Sequence, residues 1–290
     1  MCSLSIKDDP SEVGRHGILR LEFEKRKDRT ILSESYSKSP MHVFQPFYPD
    51  ETGCAFTHLF NAAGGLVCGD RIEIHIIVNE NSHVFATTPS ATKIYRSSGD
   101  SACQQTEITI RTGGVFEYLP SYVIPFANSS YLQKTKLTME EDTVAFVLDF
   151  FTTGRLARGE HLQFDRYSSI MEVNYCGEPI LFEKATLKPL DVNYGSFGFL
   201  ESFVAAASVY LIFDNPRIEK DLLNTLRAGV DDLSGVLGGI STLPSKGVIV
   251  RLLGNGTRSI ERALIEIWSV ARKHILGRKS FPQLRRVVPF

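Results

Sequence analysis

The chain has 290 residues, 43% of them hydrophobic, which is enough apolar material for one large domain or two ordinary ones with a substantial core. Its 32 Lys and Arg nearly balance its 33 Asp and Glu, so no whole-chain field favours nucleic acid, an acidic substrate or a membrane surface. Residues 1–16 are polar, with acidic and Gly/Pro breaks, and read as a mobile tail. From Gly17, Ile18, Leu19, Leu21 and Phe23 alternate with Arg20, Glu22 and Glu24 as in a strand with one buried face. The chain then becomes charged and turns, and Met41–Tyr48 reads as a strand broken by Pro46.

Strand-like runs follow at short intervals: Arg71–Val78, His83–Thr88, Thr106–Arg111, Val115–Leu119, Leu132–Leu137, Thr143–Thr152, Ser169–Tyr175 and Pro179–Thr186. Turn signals separate them, among them Asn79-Glu80-Asn81, Gly113-Gly114, Gly154 and Cys176-Gly177. Residues 17–190 therefore read as all-β, with no helix. Phe203–Phe213 suits a buried strand, after which Asn215 and Pro216 open a helix with Ile218, Leu222, Leu223 and Leu226 on one face and Gly229 as its stop. Residues 230–245 read as a Gly/Ser/Pro loop, Gly247–Leu253 as a strand, and Arg258–Leu276 as a helix ended by Gly277. No fixed-period repeat is present, which argues against a leucine-rich or propeller array but leaves an irregular β-solenoid open.

Five cysteines (Cys2, Cys54, Cys68, Cys103, Cys176) are odd in number and include no C-x-x-C pair, which disfavours a disulfide framework and a structural zinc site and fits a reducing compartment. The N-terminus lacks a signal-peptide pattern, and the longest apolar runs, such as Val144–Phe151, are far too short to span a bilayer, so the expected location is the cytosol. The Gly64-Gly65…Gly69 spacing suggests a phosphate loop, but Asp70-Arg71 stand where a lysine and a hydroxyl would grip phosphate and magnesium. There is no G-x-S-x-G elbow, and the seven histidines show no H-E-x-x-H spacing. On residues alone this is a β-rich binding or scaffold protein rather than an enzyme. A carbohydrate-active solenoid would need a carboxylate pair across a groove.

Four segments join small residues to a charge: NAAGGLVCGD (61–70), TTPSATKIYRS (87–97), GGVFEYLP (113–120) and GRLARGE (154–160). Gly64 and Gly65 are expected to supply positive φ for a tight turn that leads to Asp70, itself either a turn aspartate or a functional carboxylate. Lys93 and Arg96 carry positive charge beside Tyr95, with Asp70, Glu117 and Glu160 as candidate counter-ions or a plain surface cluster as the alternative. In order and spacing these segments resemble the urease accessory protein D family, called H in some bacteria, whose pattern is matched at Asn61–Asp70, Ala91–Ser97, Gly113–Pro120 and Gly154–Glu160. Leu243-Pro244, Val250–Gly254 and the Trp268 helix ending Leu276-Gly277-Arg278 extend the resemblance over nearly the whole chain. Cys68 departs from the usual small residue, Asn128-Ser129 from a common Gly-Ala pair, and the end after Leu284 lacks the usual tryptophan.

The resemblance implies a single accessory-type unit: a mainly β, β-helical body over 17–200 and a C-terminal part, 201–290, carrying two α-helices. It implies a non-catalytic urease maturation factor that binds apo-urease, a helical accessory protein (F) and through it a GTPase (G), and helps deliver nickel through an internal passage. The alternative is a structural scaffold without metal passage. No cofactor is expected to be held tightly, only transient nickel(II), which weak oxygen ligands would release more readily than a His/Cys cluster. On this reading Asp70, Glu117 and Glu160 lie along the passage, with Cys68 as a possible soft ligand. Thr88 forms a neutral wall, and Lys93, Arg96, Arg155 and Arg158 orient the carboxylates. The C-terminal helix, with Trp268, Arg272, Lys273, Arg278 and the basic residues up to Arg286, is the expected partner surface.

Overall fold

The computed structural model describes residues 15–96, 99–231, 234–243 and 246–278. In chain order the first strands are β1 (His16–Arg26), β2 (Arg29–Lys38), β3 (Met41–Val43), β4 (Ala55–Asn61), β5 (Arg71–Val78), β6 (His83–Thr87), β7 (Thr92–Ile94), β8 (Ala102–Ile110) and β9 (Val115–Tyr118). They are followed by β10 (Val123–Pro125), β11 (Ser130–Met139), β12 (Val144–Thr152), a 3-10 turn at Leu156–Arg158, β13 (Arg166–Tyr175), β14 (Glu178–Leu187) and β15 (Ala205–Ile212). The chain then forms α1 (Pro216–Asp231), β16 (Val236–Leu243), β17 (Gly247–Gly254) and α2 (Thr257–Ile275). No described helix is long and apolar enough to cross a membrane.

Two sheets face each other, in the orders β14-β13-β11-β8-β5-β1-β2 and β16-β17-β15-β12-β9-β6-β4-β3. Between β4 and β13 the chain alternates between them and pairs in parallel with the previous coil, which makes the body a flattened β-solenoid. Alternation drives this: in β5, Ile72, Ile74, Ile76 and Val78 are buried between the sheets while Arg71, Glu73 and His75 stay partly exposed. The larger sheet is covered on both faces. Val84, Phe116, Val147 and Ile212 point into the inter-sheet core, whereas Phe85, Phe146, Leu211 and Val250 pack with Leu222, Leu226, Ile260, Leu264 and Trp268 of the helices. Burial on both faces is why β12 reads as a continuous apolar run rather than as an alternating one.

The expected β-helical body with two C-terminal helices is the observed architecture. Differences concern edges. The charged stretch after Glu24 does not simply turn: Arg29–Lys38 forms β2, hairpinned on β1, as an edge strand whose polar face is solvated. Ala55–Asn61 is a strand, and Met41–Tyr48 shortens to β3 plus a bridge at Phe47–Phe56. The 230–245 loop is largely β16, a glycine-containing edge strand held by pairing with β17, and α1 continues past Gly229 to Asp231. Asn215 Oδ1 accepts from the Ile218 N–H (3.2 Å), as a cap should. Of the tail expected at 1–16, residues 1–14 lie outside the described residues, as do Pro244 and everything after Arg278, while His16 already belongs to β1.

The glycine turn does sit beside the 87–96 segment. The Leu66 N–H donates to Lys93 O and the Tyr95 N–H to Leu66 O, both at 2.8 Å. Its two glycines have different reasons. Gly64 has φ +75°, whereas Gly65 is there because a Cβ would lie 2.6 Å from Lys93 O and from the Tyr95 ring. Gly65→Ala is therefore expected to cost about 1–3 kcal/mol by overpacking. Gly64→Asn, which tolerates left-handed backbone, should cost about 1 kcal/mol or less. Urea unfolding midpoints of the two variants check this order.

Candidate functional site

Asp149 lies in the middle of β12 on the inward-facing parity, between Val147 and Phe151. Register places Asp149 beside Ser208 of β15, and Ser208 beside Arg251 of β17. On the opposite sheet Gln104, Gln133, Ser169 and Ala185 are neighbours across β8, β11, β13 and β14. Two polar rows thus cross the interior perpendicular to the strands. They meet at Asp149, whose Oδ1 accepts from Gln133 Nε2 (2.7 Å) and Tyr167 OH (3.3 Å) and whose Oδ2 accepts from Ser169 Oγ (2.5 Å). Burial raises the Asp149 carboxyl above the usual range despite these bonds, and pushes the Tyr131 and Tyr167 phenols up as well.

Although enclosed by protein, Asp149 faces open volume on two sides. A cavity of about 260 Å³ runs to it from the glycine turn, with Gly64, Thr88, Ser90, Gln104 and Gln133 among its walls. A second, of about 500 Å³, runs from it to the edge of the sandwich between β14 and β17, past Tyr167, Ser169, Ala206 and Ser208. Asp149 and Met171 line both. At the outer rim Arg251 Nη2 donates to Glu183 Oε2 (2.5 Å), an ion pair that ties the two sheets together across the opening.

Of the expected passage residues, only Thr88 lines either cavity; its Oγ1 accepts from the Ser121 N–H (2.9 Å). Asp70 is buried, but its Oδ2 accepts from the Val67 N–H (2.9 Å), the work of a turn aspartate. Glu160 is held by Arg155 through both carboxylate oxygens and by the Ala127 N–H (3.2 Å), and the Arg155 guanidinium stacks on Phe126 at 4.0 Å. Arg155 accordingly keeps the Glu160 carboxyl below its ordinary range. Cys68 is half-buried away from both cavities, and Lys93, Arg96 and Arg158 are exposed. The missed residue, Asp149, did leave a signal, since it is a carboxylate on the inward parity of an otherwise apolar strand.

Glu117 faces the other way, toward the helices. It is fully buried, its Oε1 accepts from His83 Nε2 (2.7 Å) and lies 3.3 Å from Arg272 Nε, and its Oε2 accepts from Trp268 Nε1 (2.6 Å). Arg278 donates to His83 Nδ1 (2.5 Å), which fixes a neutral imidazole protonated at Nε2; burial lowers the His83 pKa to match. Cys54 is close enough that Cys54, His83 and Glu117 resemble a metal triad, with ligand atoms within 4.8 Å. Two guanidinium groups already face this cluster and burial holds the Cys54 thiol well above its ordinary range, so the arrangement suits a latch rather than a cation. Of the four residues named for the partner surface, Trp268 and Arg272 are buried and pin α2 to the sheet, Arg278 is half-buried on His83, and Lys273 is exposed.

Fold and site together define a two-sheet β-solenoid, buttressed by a latched helix, with two cavities that meet at Asp149. The description "UreD urease accessory protein" matches residues 15–287. Among similar proteins are the urease accessory proteins UreD of Cenarchaeum symbiosum (30% identity over 94% of this chain and 96% of the relative) and of Bacillus sp. strain TB-90 (30%, 91% and 96%). That of Yersinia enterocolitica is 28% identical over 93% of this chain and 88% of the relative. The chain belongs to the UreD urease accessory protein family.

Removing the latch carboxylate leaves the Arg272 guanidinium buried without it, so Glu117→Ala is expected to lose about 3–5 kcal/mol. Urea unfolding followed by emission of Trp268, the chain's single tryptophan, measures this; an unchanged midpoint would refute the latch. Because the folded His83 pKa is lowered, its contribution is present above the ordinary histidine range and is lost as pH falls through the lowered folded value. His83→Asn should flatten that acid limb.

Proposed function

We propose that this protein is a non-catalytic maturation factor for urease, working in the cytosol. It binds the apo-enzyme and, through a helical accessory protein, a GTPase, and it offers nickel an internal route toward the urease active site. The observation that carries the nickel part is the pair of cavities meeting at Asp149. Side-chain oxygens of Asp149, Gln133 and Ser169, with the Met171 thioether, offer weak transient ligands, which suits a cargo that has to leave again. Family membership supports the urease part.

The route can be tested by obstruction. Ala206 lines the outer cavity on β15 and is half-buried there. Ala206→Trp fills part of that space without adding charge. In cells co-expressing apo-urease and the other accessory proteins, it is expected to lower nickel-dependent urease activity at least about tenfold, equivalent to about 1.4 kcal/mol, while co-purification of the complex is unchanged. Full activation by this variant would favour a scaffold that passes no metal.

A further inference from the structure

The inner face of a β-solenoid is expected to be apolar, since each polar group placed there loses its hydration. Here Gln104, Gln133 and Ser169 on one sheet face Asp149, Ser208 and Arg251 on the other, each set in neighbouring inward positions in register, the second running from the middle of the sandwich to its edge. Packing alone does not call for such a line, because apolar residues in these positions would stack with the neighbouring Ile, Val and Phe rows. The line also has a direction. Its inner end is the enclosed Asp149 carboxyl, and its outer end is Glu183, near enough to Asp149 to help raise its pKa and bound to Arg251 at the rim.

Building on the passage reading, we propose that Asp149 and Glu183 are two stations of a relay for a hydrated divalent cation, and that Arg251 is the gate holding the outer station shut. At Asp149 the ligands are oxygens: the carboxylate, Ser169 Oγ, and the Gln133 carbonyl once its amide turns over, a rotation of the side chain that exchanges O and N. A cation leaving this station meets Glu183 already neutralised. Its charge repels the Arg251 guanidinium, which is half-exposed and can move into solvent, so the carboxylate changes partner from guanidinium to metal. The outer station thus opens to a dication and otherwise stays paired with Arg251.

The charged and titratable groups facing Asp149 are Tyr131, Tyr167, Tyr210, Glu183 and Arg251. Burial pushes all three phenols up, so the charges along this path are those of Asp149, Glu183 and Arg251.

The test uses the full chain and Mn2+ as probe, because Mn2+ prefers oxygen and binds surface histidines less well than Ni2+. Water-proton relaxation titrations are expected to give one Mn2+ for wild type, at least about tenfold weaker binding for Asp149→Asn, and two Mn2+ for Arg251→Gln, in which Glu183 is released. Arg251→Gln/Glu183→Gln should return to one. Asp149→Asn keeps the shape of the side chain, and a circular dichroism spectrum matching wild type shows that the loss of binding is not unfolding. Wild-type binding by Asp149→Asn overturns the inner station, and an unchanged stoichiometry in Arg251→Gln overturns the gate. Either result combined with a blocked Ala206→Trp variant defeats the relay and leaves the passage standing. Full activation by Ala206→Trp defeats the passage itself.

Discussion

Parallel strands from successive coils stack residue on residue, so whatever a coil turns inward is set beside the inward residue of the next. In most positions here that rule builds apolar columns such as Ile76 beside Ile108 beside Leu137 beside Val173. At one level it builds a polar line instead. The same stacking that makes the core places Gln133 and Ser169 beside each other and within reach of a carboxylate that faces them, Asp149. The cavities follow from this constraint: short polar side chains in a layer otherwise filled by Leu, Ile and Phe leave volume unfilled.

Two carboxylates inside the fold show how environment assigns different work to the same chemistry. Glu117 points to the outer face of the larger sheet, where Trp268 and His83 donate to it and Arg272 lies against it, and there it fastens a helix. Asp149 points to the inner face, where its donors are neutral and its surroundings hollow. A carboxylate so placed lowers stability at neutral pH, because the folded chain favours the protonated form. Retaining it makes sense where a passing cation needs an anion.

Much of the fold could be read from sequence because alternation, turn glycines and helix caps are local signals. The elements missed, among them β2, β4, β7, β10 and β16, owe their strand form to pairing with neighbouring strands and carry weak patterns of their own. The family resemblance was legible in four short motifs, yet three of the four place their charges on turns and on the helix side. Asp70 caps its own turn, Glu160 pairs with Arg155, and Glu117 latches α2. Each motif marks a place where backbone must be held, which requires small residues and fixed charges whether or not a ligand passes nearby.

The sequence by itself determined the strand-rich body, the two helices, the glycine turn before Asp70 and membership of an accessory family, all of which rest on local pattern or ordered motifs. It could not determine which carboxylate faces the interior. That depends on strand parity and on register between residues far apart, Gln133 with Asp149 or Glu183 with Arg251, and only the stacked sheets decide it.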